Sequence, residues 1–303
     1  MLVEIYLIAV VVALACSLPG VFLVLRGSTM LSDAITHTVL LGIVLAFFVV
    51  NDLNSPFLIV GATLVGVLTV WLIETLQHTK LLSNDSAIGI VFPLFFSIAI
   101  ILITRYAGNV HLDADSVLMG ELAFAPFRRM TLFGMDFGPK VLWSMLIILI
   151  INVLFITFFY KELKITTFDP GLAAALGFSP VFLHYALMTL VSLTAVGAYD
   201  SVGSILVVGF MVGPALTGYL LTHRLKRMIL ITLITAVFNS LVGVKAAFVL
   251  DTSIAGMIAV VTGITCLLAF LFSPSKGSIQ AIRNRWKQRK NLKKQAASSH
   301  IKS

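Results

Sequence analysis

Charged side chains are scarce in this sequence. Only 11% of its 303 residues are Asp, Glu, Lys or Arg, whereas a soluble globular protein carries about 25%. Hydrophobic residues make up 59% of the chain. So few charges cannot cover a water-facing surface, which excludes an ordinary soluble domain and indicates a polytopic membrane protein.

Several chemical motifs are also absent. The two cysteines, Cys16 and Cys266, both lie in apolar runs, so we expect neither a disulfide framework nor a cysteine metal site. The sequence has no G-x-x-x-x-G-K-[ST] and no H-E-x-x-H, the motifs of a nucleotide-binding P-loop and of a zinc protease. The chain is therefore not expected to hydrolyse ATP, and no bound cofactor is predicted.

Nine apolar runs are long enough to cross a bilayer, which requires about 20 residues. Because backbone polar groups in lipid must be bonded internally, we expect helices. The predicted fold is an all-α membrane bundle of nine transmembrane helices, with eight or ten as alternatives. The first run lacks a basic leader and a cleavage site, and we interpret it as a retained span. The runs cover residues 5–25, 32–50, 56–77, 87–104, 141–160, 181–197, 203–221, 228–249 and 253–272.

Basic residues are concentrated at the C-terminal end. Nine of the 21 Lys and Arg residues follow residue 275, without an acid, which leaves 12 basic and 13 acidic residues before it. We predict one transmembrane domain over 1–275 and a basic cytoplasmic tail over 276–303 that lies near anionic lipid. Nine spans then place the N-terminus outside the cell. Nucleic acid is not an expected partner, because no binding module accompanies the tail.

Two ionisable residues lie at the start of the second apolar run, MLSDAITHTVLLGIVLAFFVV. Asp33 and His37 are four residues apart, so they share one face of a helix. A carboxylate oxygen and an imidazole nitrogen placed in this way can bind one divalent first-row metal ion. A simple Asp–His hydrogen bond near a helix N-terminus is an equally open interpretation. Two ligands do not complete a site, so others would have to come from elsewhere.

The stretch NVHLDADSVLMGELAF, at 109–124, supplies further candidate ligands. Asp113 and Asp115 fit a solvated outer loop better than a metal site. Glu121 is flanked by apolar residues, which makes it the stronger candidate.

The stretch GAYDSVGS, at 197–204, places Asp200 between two predicted spans. A plain turn explains this aspartate about as well as a ligand role. We interpret His78, His184 and His223, which lie near span ends or within a span, as structural.

A short capped helix is predicted in TTFDPGLAAALGFSP, at 166–180. Asp169 can cap it, Pro170 suits its first position, and Gly177 can end it. These signals predict about two turns over GLAAAL. Its small alanines would let it lie in a groove on another protein, although an ordinary connecting helix is also possible.

Together these stretches resemble one family, the membrane permeases of ABC importers for manganese, zinc and iron, or ABC-3 family. LVLRGSTMLSDAITHTVLLGI resembles its arginine turn followed by D-A-x-x-H. FDPGLAAALGFSP resembles its cytoplasmic coupling segment, and VGSILVVGFMVGPALTGYLLTHRLKRM resembles its closing region. The matches keep the same order over about residues 15–277.

The resemblance implies a transport function. It implies a permease subunit, rather than an enzyme, of an ATP-driven, binding-protein-dependent importer in the bacterial cell membrane. Mn²⁺ is the first candidate for the cargo, because the stretch at 109–126 resembles the manganese-type branch, and Zn²⁺ or Fe²⁺ are the alternatives. The implied partners are cytoplasmic ATPase subunits, a second permease (identical or paralogous), an extracellular metal-binding lipoprotein and membrane lipid.

The resemblance also implies residue roles. Asp33 and His37, with Glu121 and Asp200, would bind the transported metal. The segment that contacts the ATPase would include Phe168, Asp169, Pro170, Ala174, Ala175 and Gly177.

Two other classes of function use similar residues. A secondary transporter driven by H⁺ or Na⁺ would use the same buried acids. A membrane metalloenzyme would need further ligands and a water position, and the sequence offers no such cluster.

Overall fold

The computed structural model describes residues 2–52, 55, 57–106, 122–132 and 135–273. Nine segments in this part of the chain are long and apolar enough to cross a membrane, which confirms the predicted number of spans. The predicted tail, 276–303, lies outside the described residues. In chain order the α-helices are α1 (Leu2–Leu25), α2 (Thr29–Val50), α3 (Phe57–His78), α4 (Asn84–Tyr106), α5 (Lys140–Phe158), α6 (Tyr160–Phe168), α7 (Pro170–Ala175), α8 (Pro180–Leu221), α9 (Leu225–Leu250) and α10 (Ile254–Phe272).

Helix α8 contains two spans. A straight helix of its 42 residues would be about 63 Å long, about twice the thickness of the hydrocarbon core. At Gly203 the backbone has φ 74° and ψ 165°, a conformation essentially restricted to glycine. Leu187 and Ala215 belong to the same buried cluster, so the chain reverses between them. The halves Pro180–Tyr199 and Ser201–Leu221 are therefore separate spans.

Helix α1 lies at the centre of the bundle. It has the largest buried share of the nine spans and packs against both α8 and α9. Small residues allow the close approach: a Cβ atom added at Gly20 would overlap the backbone carbonyl of Met211 in α8.

A hydrogen bond that α1 loses at a proline is replaced by a side chain of another helix. Pro19 has no N–H, so the carbonyl of Ala15 loses its bond within the helix. Asn152 of α5, which is fully buried, donates from Nδ2 to this carbonyl at 3.0 Å and to Thr194 Oγ1 of α8 at 2.9 Å. One side chain therefore replaces the missing bond and joins three spans.

The chain before α5 contains a small structure that the sequence analysis did not predict. A 3₁₀ turn at Ala125–Phe127 leads into strand β1 (Arg129–Leu132), which pairs antiparallel with β2 (Met135–Pro139). Arg129 Nη2 lies 2.5 Å from Glu4 Oε1. This ion pair fixes the hairpin at the end of the bundle where α1 begins.

Candidate functional site

Asp33 and His37 lie on one face of α2, as their spacing predicts. Asp33 Oδ1 is 3.5 Å from His37 Nε2, and the two side chains are 47% and 23% exposed, respectively. An N–H···O hydrogen bond normally spans about 2.7–3.2 Å. The two groups therefore face each other at a separation longer than an ordinary hydrogen bond.

Aromatic side chains of α4 pack against His37. Its ring centroid lies 4.8 Å from that of Phe92, with the planes tilted by 38°, and 6.2 Å from that of Phe96, with the planes nearly perpendicular. These contacts restrict the orientation of the imidazole. The pair is thus supported by a second span.

Asp33 also lines a cavity of about 370 Å³ between α2, the second half of α8 and α10. Two of the lining positions, Gly209 and Gly263, have open space where a Cβ atom would stand. Asp33 supplies the carboxylate of a lining that is otherwise apolar or uncharged. The other lining residues are Thr29, Met30, Val208, Val212, Gly213, Leu216, Ala259, Thr262 and Cys266.

The other two predicted ligands, Glu121 and Asp200, are not among the side chains that the structure describes. Glu121, like Asp113 and Asp115, lies outside the described residues. The backbone of Asp200 lies between the two spans of α8, and the preceding residue, Tyr199, shares a buried cluster with Val39 of α2.

Among the residues that the structure describes, no three His, Cys, Asp or Glu side chains are grouped so that they could hold a metal ion. The four-residue ligand set of Asp33, His37, Glu121 and Asp200 therefore stays a prediction.

The capped helix in the segment 166–180 is confirmed as α7. Asp169 Oδ1 accepts a hydrogen bond from the Leu172 N–H at 2.9 Å, and Pro170 is the first helical residue. Gly177, with φ 86°, reverses the chain, and the Phe178 N–H bonds to the Ala173 carbonyl at 3.0 Å. The helix has six residues, slightly fewer than the two turns predicted.

Apolar side chains are exposed around α7. Ala173 faces inward and is fully buried, whereas Ala174 and Ala175 are exposed. We call the large exposed apolar residues of this region the α7 patch. The α7 patch consists of Phe168, Leu172, Leu176, Val181 and Phe182.

A second polar group of residues was missed by the sequence analysis. His184 Nε2 lies 2.5 Å from Glu74 Oε1 of α3, and Tyr185 donates a hydrogen bond to Glu74 Oε2 at 2.8 Å. Arg26 Nη1 lies 3.1 Å from His184 Nδ1. Glu74 itself was the available signal, because a carboxylate inside a predicted span is a candidate functional residue.

Arg26 lies in the turn between α1 and α2, where burial changes the pKa of its side chain. Desolvation lowers the pKa of its guanidinium group. An arginine nevertheless remains charged in proteins, so this turn places a fixed positive charge beside the His184–Glu74 contact.

Comparison with known proteins identifies the family. A sequence model of the ABC 3 transport family matches residues 1–273. The chain belongs to the ABC 3 transport family. This ABC 3 chain is accordingly a multi-pass membrane permease and a transport subunit rather than an enzyme.

Named relatives of the permease are similar over most of its length. It is 45% identical over 270 residues to the manganese transport system membrane protein MntD of Bacillus subtilis (strain 168), covering 89% of this chain and 91% of the relative. It is 46% identical over 280 residues to the zinc transport system membrane protein TroD of Treponema pallidum (strain Nichols), covering 92% and 76%.

A solved structure shares the fold of the permease. PsaBC from Streptococcus pneumoniae in complex with Fab matches with a TM-score of 0.75 and 29% sequence identity. The match covers 90% of this chain and 92% of the matched chain. The helical arrangement described above is therefore shared with the matched PsaBC chain.

Proposed function

We propose that this permease carries Mn²⁺ into the cell as the membrane subunit of an ATP-driven importer, with Zn²⁺ as the second candidate cargo. Relatives named for manganese and for zinc transport are almost equally similar to it. The observation that carries the proposal is the Asp33–His37 pair, of which Asp33 lines the cavity between α2, α8 and α10.

The separation of the two donor atoms supports a metal-binding role. Two ligand atoms that each lie about 2.1 Å from one ion are about 3.4 Å apart at the tetrahedral angle of a zinc site and about 3.0 Å apart at the angle of about 90° in an octahedral site, the geometry typical of Mn²⁺. Asp33 Oδ1 and His37 Nε2 are 3.5 Å apart. The pair could therefore accept an ion with little rearrangement, whereas a simple hydrogen bond would draw the two atoms closer.

The apolar surroundings explain why such a pair is needed. A divalent ion loses its hydration when it enters an apolar environment, and this loss is very unfavourable without compensating ligands. The Asp33 carboxylate supplies negative charge and the neutral His37 ring supplies a nitrogen donor. Glu121 and Asp200 remain our candidates for further ligands, together with a second permease subunit, identical or paralogous.

The end of the bundle that carries α7 is proposed to be cytoplasmic. The described segments that connect the spans at this end are basic and include Lys161, Lys164 and Arg224, in keeping with the positive-inside rule. The α7 patch would dock onto a partner ATPase, since exposed apolar residues often mark an interaction site. An extracellular metal-binding lipoprotein would deliver the ion at the opposite end, and the C-terminal tail would lie in the cytoplasm.

Metal uptake by cells that carry single-residue variants tests the proposal. We expect Asp33→Asn and His37→Gln to reduce Mn²⁺ uptake by about tenfold or more, because loss even of a group that supports a ligand costs about 10–100-fold in metal affinity or activity. The matched controls are Asp85→Asn and His223→Gln, whose side chains are exposed. Abundance in the membrane is measured for every variant.

The same assay separates the alternatives. Uptake is measured with Mn²⁺, Zn²⁺ and Fe²⁺ in parallel, so a loss confined to Zn²⁺ would replace manganese with zinc as the cargo. Undiminished uptake by Asp33→Asn, at normal abundance, would refute the role of the pair. Uptake that persists after inactivation of the partner ATPase would indicate a secondary transporter.

A further inference from the structure

The turn between α1 and α2 is bonded to helices on both sides of α7. Arg26 donates from Nε to Thr167 Oγ1 at 3.2 Å and from Nη2 to Thr166 Oγ1 at 3.3 Å. These threonines lie in the last turn of α6. The third branch of the guanidinium group, Nη1, meets His184 near the start of α8 at 3.1 Å.

The partners of His184 define its protonation. A guanidinium group can only donate hydrogen bonds, so His184 Nδ1 is the acceptor in its contact with Arg26. The ring proton then lies on Nε2, which faces Glu74 Oε1 at 2.5 Å. The other carboxylate oxygen of Glu74 accepts the hydroxyl of Tyr185. A neutral ring thus joins a positive and a negative side chain, and the group is balanced in charge.

These residues form a continuous connection, which we call the turn cluster. It joins the end of α3, the last turn of α6, the start of α8 and the turn that precedes α2. The turn cluster consists of Arg26, Glu74, Thr166, Thr167, His184 and Tyr185.

The position of the turn cluster links α7 to the metal pair. Helix α7 stands between α6 and α8, both of which are held by Arg26. Only Asp169 separates α7 from α6, so we expect a partner that displaces α7 to shift α6, and Arg26 must then follow or lose its bonds to it. Only three residues, 26–28, separate α1 from α2, and Gly27 adopts φ 67° there. Asp33 lies in the second turn of the helix that this turn begins.

We propose that the turn cluster transmits movement of α7 to Asp33 and His37, and that Arg26 is its central positioning residue. This inference rests on the proposed function, because it assumes that an ATPase acts on α7 and that the pair holds the cargo. Arginine suits the position because its planar group reaches three acceptors at once, whereas lysine presents a single ammonium group.

The test uses the complete transporter, with its ATPase and binding protein, in sealed vesicles. Mn²⁺ uptake and ATP hydrolysis are measured in the same sample. We expect Arg26→Lys to assemble with the ATPase and to hydrolyse ATP, while the number of ions carried per ATP falls about tenfold. The matched control is Arg224→Lys, at an exposed arginine outside the turn cluster, and it should keep the wild-type ratio.

A second pair of variants separates coupling from folding. A glutamine amide can accept a hydrogen bond from Arg26, as His184 Nδ1 does, and can present an N–H to Glu74, whereas leucine can do neither. We therefore expect His184→Gln to retain most of the uptake per ATP and His184→Leu to lose it. If His184 only stabilised the fold, its substitution would change thermal stability and yield but not the number of ions carried per ATP. If Arg26→Lys does not fold, this pair decides the question.

The outcomes distinguish the two proposals. A wild-type ratio in Arg26→Lys or His184→Leu, together with loss of uptake in Asp33→Asn, would overturn the coupling inference and leave the proposed function intact. Wild-type vesicles that hydrolyse ATP but carry no divalent metal would overturn the proposed function and, with it, this inference.

Discussion

Replacing Asn152 with leucine is expected to destabilise the bundle through the carbonyl of Ala15. Pro19 deprives this carbonyl of its bond within α1, and Asn152 is the donor that replaces it. Leucine has the same number of side-chain heavy atoms as asparagine but cannot donate. The substitution therefore leaves a buried carbonyl without that donor, and an Asn→Leu substitution elsewhere in the bundle controls for the added volume of leucine.

The expected cost follows from the two lost bonds. Leaving a buried acceptor without a donor costs about 1–3 kcal/mol, and a hydrogen bond between membrane helices contributes about 0.6 kcal/mol on average. Thr194 loses little, since its hydroxyl also donates to the Leu190 carbonyl at 2.7 Å. We expect Asn152→Leu to lower the free energy of unfolding by about 2 kcal/mol.

A double-mutant cycle identifies the cause. Pro19→Ala supplies an N–H that can bond to the Ala15 carbonyl, so Asn152→Leu should cost about 1 kcal/mol less in that background. The free energy is measured by reversible unfolding in mixed detergent micelles, followed by tryptophan fluorescence. The matched control is Asn239→Leu, at a buried asparagine whose Oδ1 accepts from Thr265.

The two asparagine substitutions should respond differently to Pro19→Ala. No described hydrogen bond joins Asn239 to the Ala15 carbonyl. The effects of Asn239→Leu and Pro19→Ala on the free energy of unfolding should therefore add within about 0.5 kcal/mol. An equal cost of Asn152→Leu in both backgrounds would refute the reasoning, because the Ala15 carbonyl would then contribute nothing to it.

Two further predictions concern the metal and the ATPase. Uptake at constant free Mn²⁺ should fall as the medium is acidified, because metal ligands must be deprotonated and protons therefore compete with the ion; a flat pH profile would contradict a metal site at the Asp33–His37 pair. Leu172→Asp should weaken copurification of the ATPase about tenfold, by placing a charge in an interface core from which charged residues are depleted. An acidic residue at this early position of α7 stabilises the helix, so loss of the helix would not explain weaker binding. The control is Phe127→Asp, at the opposite end of the bundle.

Local sequence signals predicted the parts of the structure that depend on neighbouring residues. The apolar runs gave nine spans, and the residues Asp169, Pro170 and Gly177 gave the ends of α7, because caps and turns act within a few positions. The spacing of Asp33 and His37 placed them on one face for the same reason.

Contacts between distant segments could not be predicted in this way. Lipid is as apolar as the bundle interior, so hydrophobicity does not show which side of a span faces inward. In α5, Ile147 is 56% exposed and its neighbour Ile148 is 5% exposed, although the residues are identical. The Glu74–His184 contact and the cavity beside Asp33 depend on this packing, which explains why the sequence analysis missed them.

The location of the bound ion tests the central claim most directly. Crystals of the permease soaked with Mn²⁺ can be measured at the manganese absorption edge, where anomalous scattering marks the ion. We expect a peak about 2.0–2.3 Å from both the Asp33 carboxylate and the His37 ring nitrogen. Bound manganese at another place in the transport path, with this pair free of metal, would contradict the account.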